Sequence, residues 1–376
     1  MLPRTLFDAG HDEFRRTAKR FFAEEITPRH EAWEEQGQID RAAWNRAGEL
    51  GLLCCAIPEE YGGQGGDRLH SVIMMEEQML AGASGVGFAL HSDIVANYLL
   101  HYGTEEQKRT WLPRMASGET VGAIAMTEPG TGSDLQSIKT TATEDGDEYV
   151  LNGSKMFITN GLQSDLVIVA VRMDGGEGGA KSISLVLVEA DRPGFTKGKP
   201  LKKVGMKAQD TAPLFFDNVR IPKRNVLGGE DGLNMGFMML MQELAWERLI
   251  SGAEACFEIT RNYVQDRKAF GKPVASFQNT RFKLAEMKSE IAMARVFVDR
   301  CIELVLKNEL PIDAAAASKY LCSDLLCKVV DECVQLHGGY GYMLEYPIAR
   351  AFVDARAQRI YGGTNEIMKE IIARAL

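Results

Sequence analysis

The sequence predicts an α+β protein made of an N-terminal helical domain (residues 1–119), a central antiparallel β-barrel or β-sandwich domain (120–230) and a C-terminal four-helix-type bundle (231–376). Apolar residues recur at helical spacing in the first part, alternating β-rich runs follow, and long helical patterns then return. A chain of 376 residues is also long for one hydrophobic core, so two or three domains are expected.

The first domain is predicted from apolar periodicity and from residues that begin or end helices. A helix over residues 7–36 is kinked or restarted at Pro28, and Asp40 and Gly51 bound the next helix. Further helices are expected at 69–80, 92–102 and 104–117. The glycines of residues 57–67 follow no hydrophobic strand and lack the required third glycine, so we reject a dinucleotide-binding fingerprint there.

The central domain is predicted from β-branched and alternating runs separated by Gly, Asp and Asn. The expected strands are 121–126, 138–143, 149–152, 155–159, 166–171, 183–189 and 214–219. The segment GGEGGAKS at 175–182 resembles a P-loop but has Ala180 where the second glycine is needed, and no helix follows it. We interpret this segment as a hairpin loop.

The last domain is predicted from long apolar periodic segments joined by short connections, which is typical of an antiparallel bundle. The expected helices are 233–266, 276–306, 312–337, 346–361 and 365–375.

Composition excludes several classes of function. Hydrophobic residues make up 45% and charged residues 25% of the chain, as in ordinary globular proteins. A net charge of -9 argues against nucleic acid as a partner. The basic segment 197–207 is either a solvated loop or a contact for a phosphorylated ligand, and the sequence leaves both open.

The cysteines and the N-terminus bear on the compartment. Seven scattered cysteines do not form a disulfide or zinc pattern, and Cys322 and Cys327 are expected to be core thiols in a reducing environment. No apolar segment reaches the roughly 20 residues that span a bilayer. The N-terminus carries acidic residues before any hydrophobic run, so neither a secretory signal nor a transit peptide is expected and a cytoplasmic location is predicted.

The segment 233–253 is apolar on nearly every side of a helix, yet Glu243, Glu247 and, two turns on, Glu254 share one narrow face. An unpaired buried carboxylate either binds a cation or shifts its pKa upward, and a raised pKa suits a general base. The structural alternative is a stripe of ion-paired acids, for which Arg248 or Lys288 could be the partner.

Four glycine-rich stretches suggest ligand contacts. AMTEPGTGSDLQSIKT (125–140) ends a strand with hydroxyls and free backbone N–H groups, which suit an anion or the edge of a heterocycle. RKAFGKPVASFQ (267–278) supplies cations, and QLHGGYGYMLEYP (335–347) exposes backbone. IYGGTNEI (360–367) precedes the last helix, whose N-terminus can receive an anion.

Together and in this order these stretches resemble the acyl-CoA dehydrogenase family, from the EEYGG region to the IIAR ending. The resemblance implies FAD held in a homotetramer, a dimer of dimers. It also implies oxidation of an acyl-CoA thioester to the 2-enoyl-CoA, with electrons passed to electron-transfer flavoprotein. The implied reaction requires no metal.

The resemblance also implies roles for single residues. Met126 and Thr127 would bind the flavin, Ser133 would lie near the pyrophosphates of FAD or CoA, and Phe157 and Thr159 would lie against the isoalloxazine ring. FAD contacts from the adjacent subunit would come from Arg267, Phe270, Gln278, Gln335, Gly338 and Gly339, with Thr364 and Glu366 on the adenine side. The implied substrate contacts are Ser133, Leu244, Arg248, Tyr361 and Gly363.

One departure concerns the catalytic base. Most of the family carries YEGT where this chain reads YGGT, with Gly362 in place of the glutamate. A minority, resembling the long-chain and isovaleryl-CoA enzymes, carries the base on the bundle helix before Arg-Leu, and this chain reads WERL at 246–249. The resemblance therefore implies that Glu247 is the base, with Glu243 and Glu254 structural.

The expected chemistry needs a base and stabilisation of negative charge on the thioester oxygen, from the Gly362 backbone N–H and a flavin ribityl hydroxyl. Two alternatives remain at this point: a flavin oxidase or hydroxylase on the same fold, and a non-enzymatic helical scaffold.

Overall fold

The computed structural model describes residues 3–173, 179–243 and 251–376. The N-terminal domain contains the helices α1 (Ala9–Phe21), α2 (Thr27–Gln36), α3 (Arg41–Glu49), α4 (Arg68–Leu80), α5 (Ala96–Tyr102) and α6 (Glu105–Ala116). A π-helical turn over Phe22–Ile26 joins α1 to α2, and a second one over Leu90–Val95 leads into α5. Pro28 lies in the first turn of α2, where its missing N–H leaves no helical hydrogen bond unmade. The predicted restart at Pro28 is therefore confirmed.

The central domain is one curled sheet built from β1 (Gly122–Ala125), β2 (Thr141–Asp145), β3 (Glu148–Thr159), β4 (Leu166–Met173), β5 (Ile183–Glu189), β6 (Phe195–Lys197) and β7 (Thr211–Pro222). The strand order is β1-β4-β2-β3-β7-β6, with β5 on the other edge of β4. The β-domain is confirmed, but its pairing is mixed, because β1 and β2 both pair with β4 in parallel. The long connection from β1 to β4 supplies the crossover that a parallel pair needs.

Two further differences concern strand boundaries. The expected strands at 149–152 and 155–159 are one continuous strand, β3, whose register against β7 shifts between Leu151 and Gly153 and again between Lys155 and Ile158. These shifts are β-bulges, which interrupt the alternation that strand prediction relies on. The short strand β6 was not predicted, because three residues carry little pattern. The antiparallel pairing of β4 with β5 confirms the hairpin expected around 175–182.

The C-terminal domain contains the helices α7 (Gly236–Glu243), α8 (Gly252–Asp266), α9 (Gln278–Leu306), α10 (Ile312–His337), α11 (Pro347–Ala355) and α12 (Asn365–Ala373). A two-stranded hairpin, β8 (Lys268–Ala269) and β9 (Lys272–Pro273), separates α8 from α9. The bundle core includes Phe257, Met287 and Val330 from α8, α9 and α10. The single helix expected over 233–266 is described as α7 and α8, and Glu247 and the side chain of Glu243 lie outside the described part of the chain.

The structural role expected for Glu254 is supported, with a different partner. Its carboxylate lies 2.7 Å from Arg295 Nη2, and Arg295 Nη1 lies 3.0 Å from Glu76 of α4. Lys288, which the sequence offered as a partner, lies 3.9 Å from Glu258 instead. Arg295 therefore joins the N-terminal domain to the bundle, a pairing that sequence spacing could not indicate.

All seven cysteines are free thiols, and Cys322 is buried while Cys327 is half-buried. Within the described ranges, no helix has the length and apolar character needed to cross a membrane.

Candidate active site

The loop after β1 forms a tight, anchored turn. The Glu128 N–H donates to Thr131 O at 2.9 Å, and the Thr131 N–H donates back to Glu128 O at 3.1 Å. The Thr131 hydroxyl also donates to Ser137 O at 3.3 Å. Ser133 lies beyond this turn and is exposed. The loop therefore presents polar atoms to solvent from a fixed backbone.

A buried ion pair holds this loop from beneath. Lys155 on β3 is 0% exposed, and its Nζ donates to Glu128 Oε1 at 2.9 Å and to Met126 O at 3.0 Å. The Glu128 carboxylate also accepts from the Lys139 and Thr140 N–H groups at 2.6 and 2.9 Å. Burial lowers the pKa of Lys155, and hydrogen bonds from Thr140 together with the Lys155 charge hold the pKa of Glu128 below its usual value. Charge-assisted bonds of this kind fix the loop relative to β3.

Phe157 is turned outward beside the loop. Strand alternation would place it on the same side as buried Lys155, but it lies in the second bulge of β3 with φ +63° and is 66% exposed. The neighbouring Met156 N–H donates to Thr127 O at 2.8 Å. A non-glycine residue at positive φ carries strain, and such strain concentrates at ligand sites. The bulge leaves an aromatic face available next to Thr127.

A surface groove of about 490 Å³ lies elsewhere, on the bundle. Its lining residues all come from the C-terminal domain: Tyr263, Arg267, Val274, Gln335, Leu336, His337, Gly338, Gly339, Tyr340 and Met343. The His337 ring stacks on Tyr263 at 4.1 Å, and its Nδ1 donates to Cys333 O at 2.8 Å. Burial lowers the pKa of His337, so the ring is neutral at pH 7 and serves to shape the turn. Open space lies beyond Gly338 and Gly339, so a ligand can reach their backbone.

A cationic side chain, Arg267, and the aromatic turn of the β8–β9 hairpin lie at the groove. The Arg267 guanidinium lies 5.5 Å from the Tyr340 ring and remains exposed, which suits a phosphate or a second aromatic system. Phe270 and Gly271, both at positive φ, form the two-residue turn of the β8–β9 hairpin, and Phe270 is 94% exposed. Gln278 begins α9 and is exposed, but it does not line the groove.

The Y-G-G-T turn before α12 is held by a buried lysine. Gly362 and Gly363 have φ values of +57° and +83°, which only glycine adopts at little cost. Lys319 of α10 is 3% exposed, and its Nζ donates to Gly363 O at 2.6 Å and to Asn365 Oδ1 at 2.9 Å. The Thr364 hydroxyl accepts from the Ile367 N–H at 3.3 Å and caps α12, while Glu366 is exposed in its first turn.

Comparison with known proteins agrees with this arrangement. Residues 8–119, 123–219 and 234–376 match the N-terminal, middle and C-terminal domains of acyl-CoA dehydrogenases. The chain belongs to the acyl-CoA dehydrogenase family. It is therefore an oxidoreductase acting on acyl-CoA, in a family of flavoproteins.

The similarity extends over nearly the whole chain. It is 53% identical over 380 residues to the mitochondrial long-chain specific acyl-CoA dehydrogenase of Sus scrofa, covering 99% of this chain and 88% of that one. It is 46% identical to an acyl-CoA dehydrogenase of Geobacillus kaustophilus whose crystal structure is known, with TM-score 0.96 and 99% coverage of each chain. It is 28% identical to a glutaryl-CoA dehydrogenase of Mycobacterium smegmatis solved in complex with FADH2, with TM-score 0.89 and coverage of 98% and 95%.

The fold brings most of the implied flavin contacts together in two groups. Met126, Thr127, Phe157 and Thr159 belong to the loop after β1 and the adjoining end of β3. Arg267, Gln335, Gly338 and Gly339 share the groove, and no β-domain residue that the structure describes lines it. Leu244, Glu247 and Arg248 lie outside the described residues, and Tyr361 and Gly363 lie in the turn before α12.

Sequence reasoning missed two buried lysines that position these groups. Neither Lys155 nor Lys319 was assigned a role from the sequence, although both are buried in the folded protein. One signal could have identified the Lys155–Glu128 pair. Lys155 occupies an inward-facing position of its strand, and Glu128 lies in a nearby loop motif. No local signal indicates that Lys319 contacts Gly363, because 44 residues separate them.

The basic segment 197–207 is engaged in part by the protein itself. Lys197 Nζ donates to Leu162 O at 2.9 Å and also to Ser164 O, and Lys203 Nζ donates to Gln209 O. Both lysines therefore satisfy backbone carbonyls, which favours the structural alternative over a phosphate contact.

Proposed function

We propose that this enzyme catalyses FAD-dependent α,β-dehydrogenation of an acyl-CoA thioester to the trans-2-enoyl-CoA, with Glu247 as the base. The observation that carries the proposal is the loop of Met126 and Thr127, fixed beside an outward-facing Phe157 by the buried Lys155–Glu128 pair. Two measurements on the purified protein test the proposal directly. The preparation should show a flavin absorption spectrum, and it should oxidise acyl-CoA in the presence of a dye acceptor.

The residues present fit FAD. Exposed backbone and side-chain groups beside Thr127 suit the polar edge of a flavin, and the Phe157 ring offers an apolar face to a flat ring system. The groove combines Arg267 with open glycine backbone at Gly338 and Gly339, which suits a diphosphate. FAD, when bound, supplies the acceptor for the hydride that leaves the β carbon of the substrate.

The protein must remove a weakly acidic proton from the α carbon of the thioester. Glu247 would take it, because a carboxylate withdrawn from water has a raised pKa and becomes a stronger base. The Gly362 N–H would donate to the thioester oxygen as negative charge develops there, and one such donor contributes about 3 to 4 kcal/mol. Lys319 supports this role, since its bond to Gly363 O anchors the turn that contains Gly362.

The long-chain or isovaleryl-type branch is supported by two features of the sequence, WERL at 246–249 and YGGT at 361–364. The Sus scrofa relative is named as long-chain specific, which agrees with them. If Glu247 is the base and Gly362 stands where most of the family has glutamate, the acyl site would have more space around the α and β carbons. We therefore propose long-chain or branched acyl-CoA as the substrate, with substrate contacts that include Ser133, Leu244, Arg248, Tyr361 and Gly363.

Electron-transfer flavoprotein is the proposed electron acceptor, and a homotetramer in the cytoplasm is the proposed state.

A flavin oxidase or hydroxylase is the alternative function, and it differs in letting oxygen reach the reduced flavin. Oxidation rates compared under oxygen alone and with a dye or flavoprotein acceptor separate the two, and a faster rate with oxygen would favour the oxidase.

The first prediction concerns the assembly. Because the described part of the β-domain contributes no lining residue to the groove with Arg267, we expect this groove to serve the cofactor of a neighbouring subunit. Arg267→Gln should lower FAD occupancy while leaving the fold intact. Arg261→Gln, six residues earlier in α8 and paired with Glu258 at 2.6 Å, should not lower it. Flavin absorbance gives the FAD content per subunit, and light scattering gives the oligomeric state of the same preparation. A monomer with full FAD occupancy would contradict the prediction.

The second prediction concerns chain length. Turnover should be faster on long or methyl-branched acyl-CoA than on butyryl-CoA. Each methylene should contribute about 1 to 3 kcal/mol to this discrimination, so the preference should be graded. A series of straight and branched acyl-CoA substrates measures kcat/KM, and a preference for butyryl-CoA would reject the steric argument.

A base-transfer variant provides a stricter form of the same test. Gly362→Glu combined with Glu247→Gly should restore some activity on unbranched medium chains by moving the base across the substrate. The φ of +57° at Gly362 makes the change cost about 1 kcal/mol in backbone strain, so the rescue should be partial. Gly362→Ala in the same background carries the strain without the carboxylate and serves as the control.

A further inference from the structure

Two helices of the N-terminal domain begin with the same capping arrangement and face each other. Asp8 caps α1 with His11 three residues on, and Asp67 caps α4 with His70 three residues on. Both histidine Nδ1 atoms lie 3.2 Å from the backbone N of their own cap residue. The two imidazole rings are 4.8 Å apart. The fold thus brings together two aspartates and two histidines from distant parts of the sequence.

The donor atoms of three of these side chains converge. His11 Nε2 lies 3.1 Å from Asp67 Oδ1, and His70 Nδ1 lies 2.9 Å from the same oxygen. One donor atom from each of His11, Asp67 and His70 falls within 4.8 Å of the others. Ligand atoms about 2.0 Å from a tetrahedral zinc ion are about 3.3 Å from one another. The two distances to Asp67 Oδ1 are already close to that value, whereas the two histidine nitrogens, up to 4.8 Å apart, would approach each other on binding.

Asp8 orients the first histidine for this purpose. Its Oδ1 lies 2.8 Å from His11 Nδ1, closer than the backbone N at 3.2 Å. The tautomer of His11 that donates its Nδ1 proton to Asp8 would give up the bond from the Asp8 N–H and free Nε2 as a ligand, as in the carboxylate–histidine pairs that support metal ligands. Both rings are also packed: His11 lies 5.9 Å from the Phe7 ring and His70 lies 4.9 Å from the Phe14 ring. This packing limits the movement of both rings.

We propose that His11 Nε2, Asp67 and His70 form a zinc-binding site that joins α1 to α4, with Asp8 as the orienting carboxylate. Two imidazoles and one carboxylate suit Zn²⁺, whereas Mg²⁺ and Ca²⁺ prefer oxygen ligands alone. His11 is buried, but His70 is half-buried and Asp67 exposed, so water can occupy the fourth position. The site shares no residue with the groove or the loop after β1, and its role is structural.

The competing explanation is that these groups only complete two capping boxes. Variants that keep the caps and remove the ligands separate the two explanations. Gln at the third helical position completes a capping box as well as a ligand-forming His does, so His11→Gln and His70→Gln keep the caps. Asp67→Asn and Asp8→Asn keep the cap acceptor, because Asn caps helices about as well as Asp. His101→Gln removes an exposed histidine from α5 and is the matched control.

The experiment uses the untagged full-length holoenzyme, freed of metal by a chelator and titrated calorimetrically with ZnCl₂. Co²⁺ is then used as a probe, because its visible absorption reports tetrahedral coordination. We expect one Zn²⁺ per subunit and a rise in Tm that the chelator reverses. His11→Gln, His70→Gln and Asp67→Asn should lose both effects, His101→Gln should keep them, and Asp8→Asn should bind about 10- to 100-fold more weakly.

Three results would overturn the proposal. The wild-type protein may fail to bind Zn²⁺ in the micromolar range, or Mg²⁺ may bind equally well. Binding that persists unchanged in His70→Gln and Asp67→Asn would assign the ion to another group, such as a thiol. In each case the four residues act as capping boxes only.

Discussion

Replacing Glu247 with Gln should lower turnover by about 10²- to 10⁴-fold, the usual contribution of a positioned base. The substitution keeps the side-chain volume and removes only the carboxylate proposed to take the α-proton, so FAD content and Tm should remain those of the wild type. Anaerobic mixing with acyl-CoA gives the rate of flavin bleaching, which isolates the chemical step from reoxidation. The pH dependence of that rate should lose the ionisation assigned to the base.

The matched control is Glu254→Gln, seven residues further along the sequence. Glu254 forms an ion pair with Arg295 at 2.7 Å and is partly exposed, so its loss should affect stability more than turnover. If Glu247→Gln kept about a tenth of wild-type activity, the base would have to be sought elsewhere, with Glu243 first.

Lys155→Met should cost about 3 to 5 kcal/mol of stability and most of the bound FAD. The change leaves the buried Glu128 carboxylate without its counter-charge, and breaking one side of a buried ion pair is strongly destabilising. It also removes the donor to Met126 O, so the loop loses its anchor to β3. Chemical unfolding gives the free energy, and flavin absorbance per subunit gives occupancy.

Two further variants distinguish the effect of breaking the buried Lys155–Glu128 pair from the effect of losing any lysine. Lys223→Met removes a partly exposed lysine paired with Glu144 and should leave stability nearly unchanged, because a solvated ion pair contributes little. The double variant Lys155→Met with Glu128→Gln should recover part of the lost stability, because no unpaired charge remains. Equal losses in Lys155→Met and Lys223→Met would show that the buried pair does not anchor the loop.

Several features followed from the sequence because they depend on neighbouring residues. The helix expected at 312–337 is α10, Ile312–His337, bounded by Pro311 before it and by Gly338 at φ +60° after it. The order of helical, β-rich and helical segments gave the fold class, since periodicity distinguishes strands from helices within about ten residues. The TEPGTGSD and QLHGG stretches are predicted to be ligand-binding loops from the sequence alone, because glycine and hydroxyl residues have local conformational effects.

Other features depended on contacts between residues far apart in the chain, which periodicity does not encode. The parallel pairing of β1 and β2 with β4, the choice of Arg295 as the partner of Glu254, and the approach of Lys319 to Gly363 arise only when the elements pack.

Phe157 shows the physical reason most clearly. Alternation along β3 would turn its ring inward, yet a bulge at φ +63° turns it out, because one extra residue in a strand reverses every side chain beyond it. The sequence predicted a strand at 155–159 that contains this aromatic residue, and the tertiary structure decided which way its ring faces.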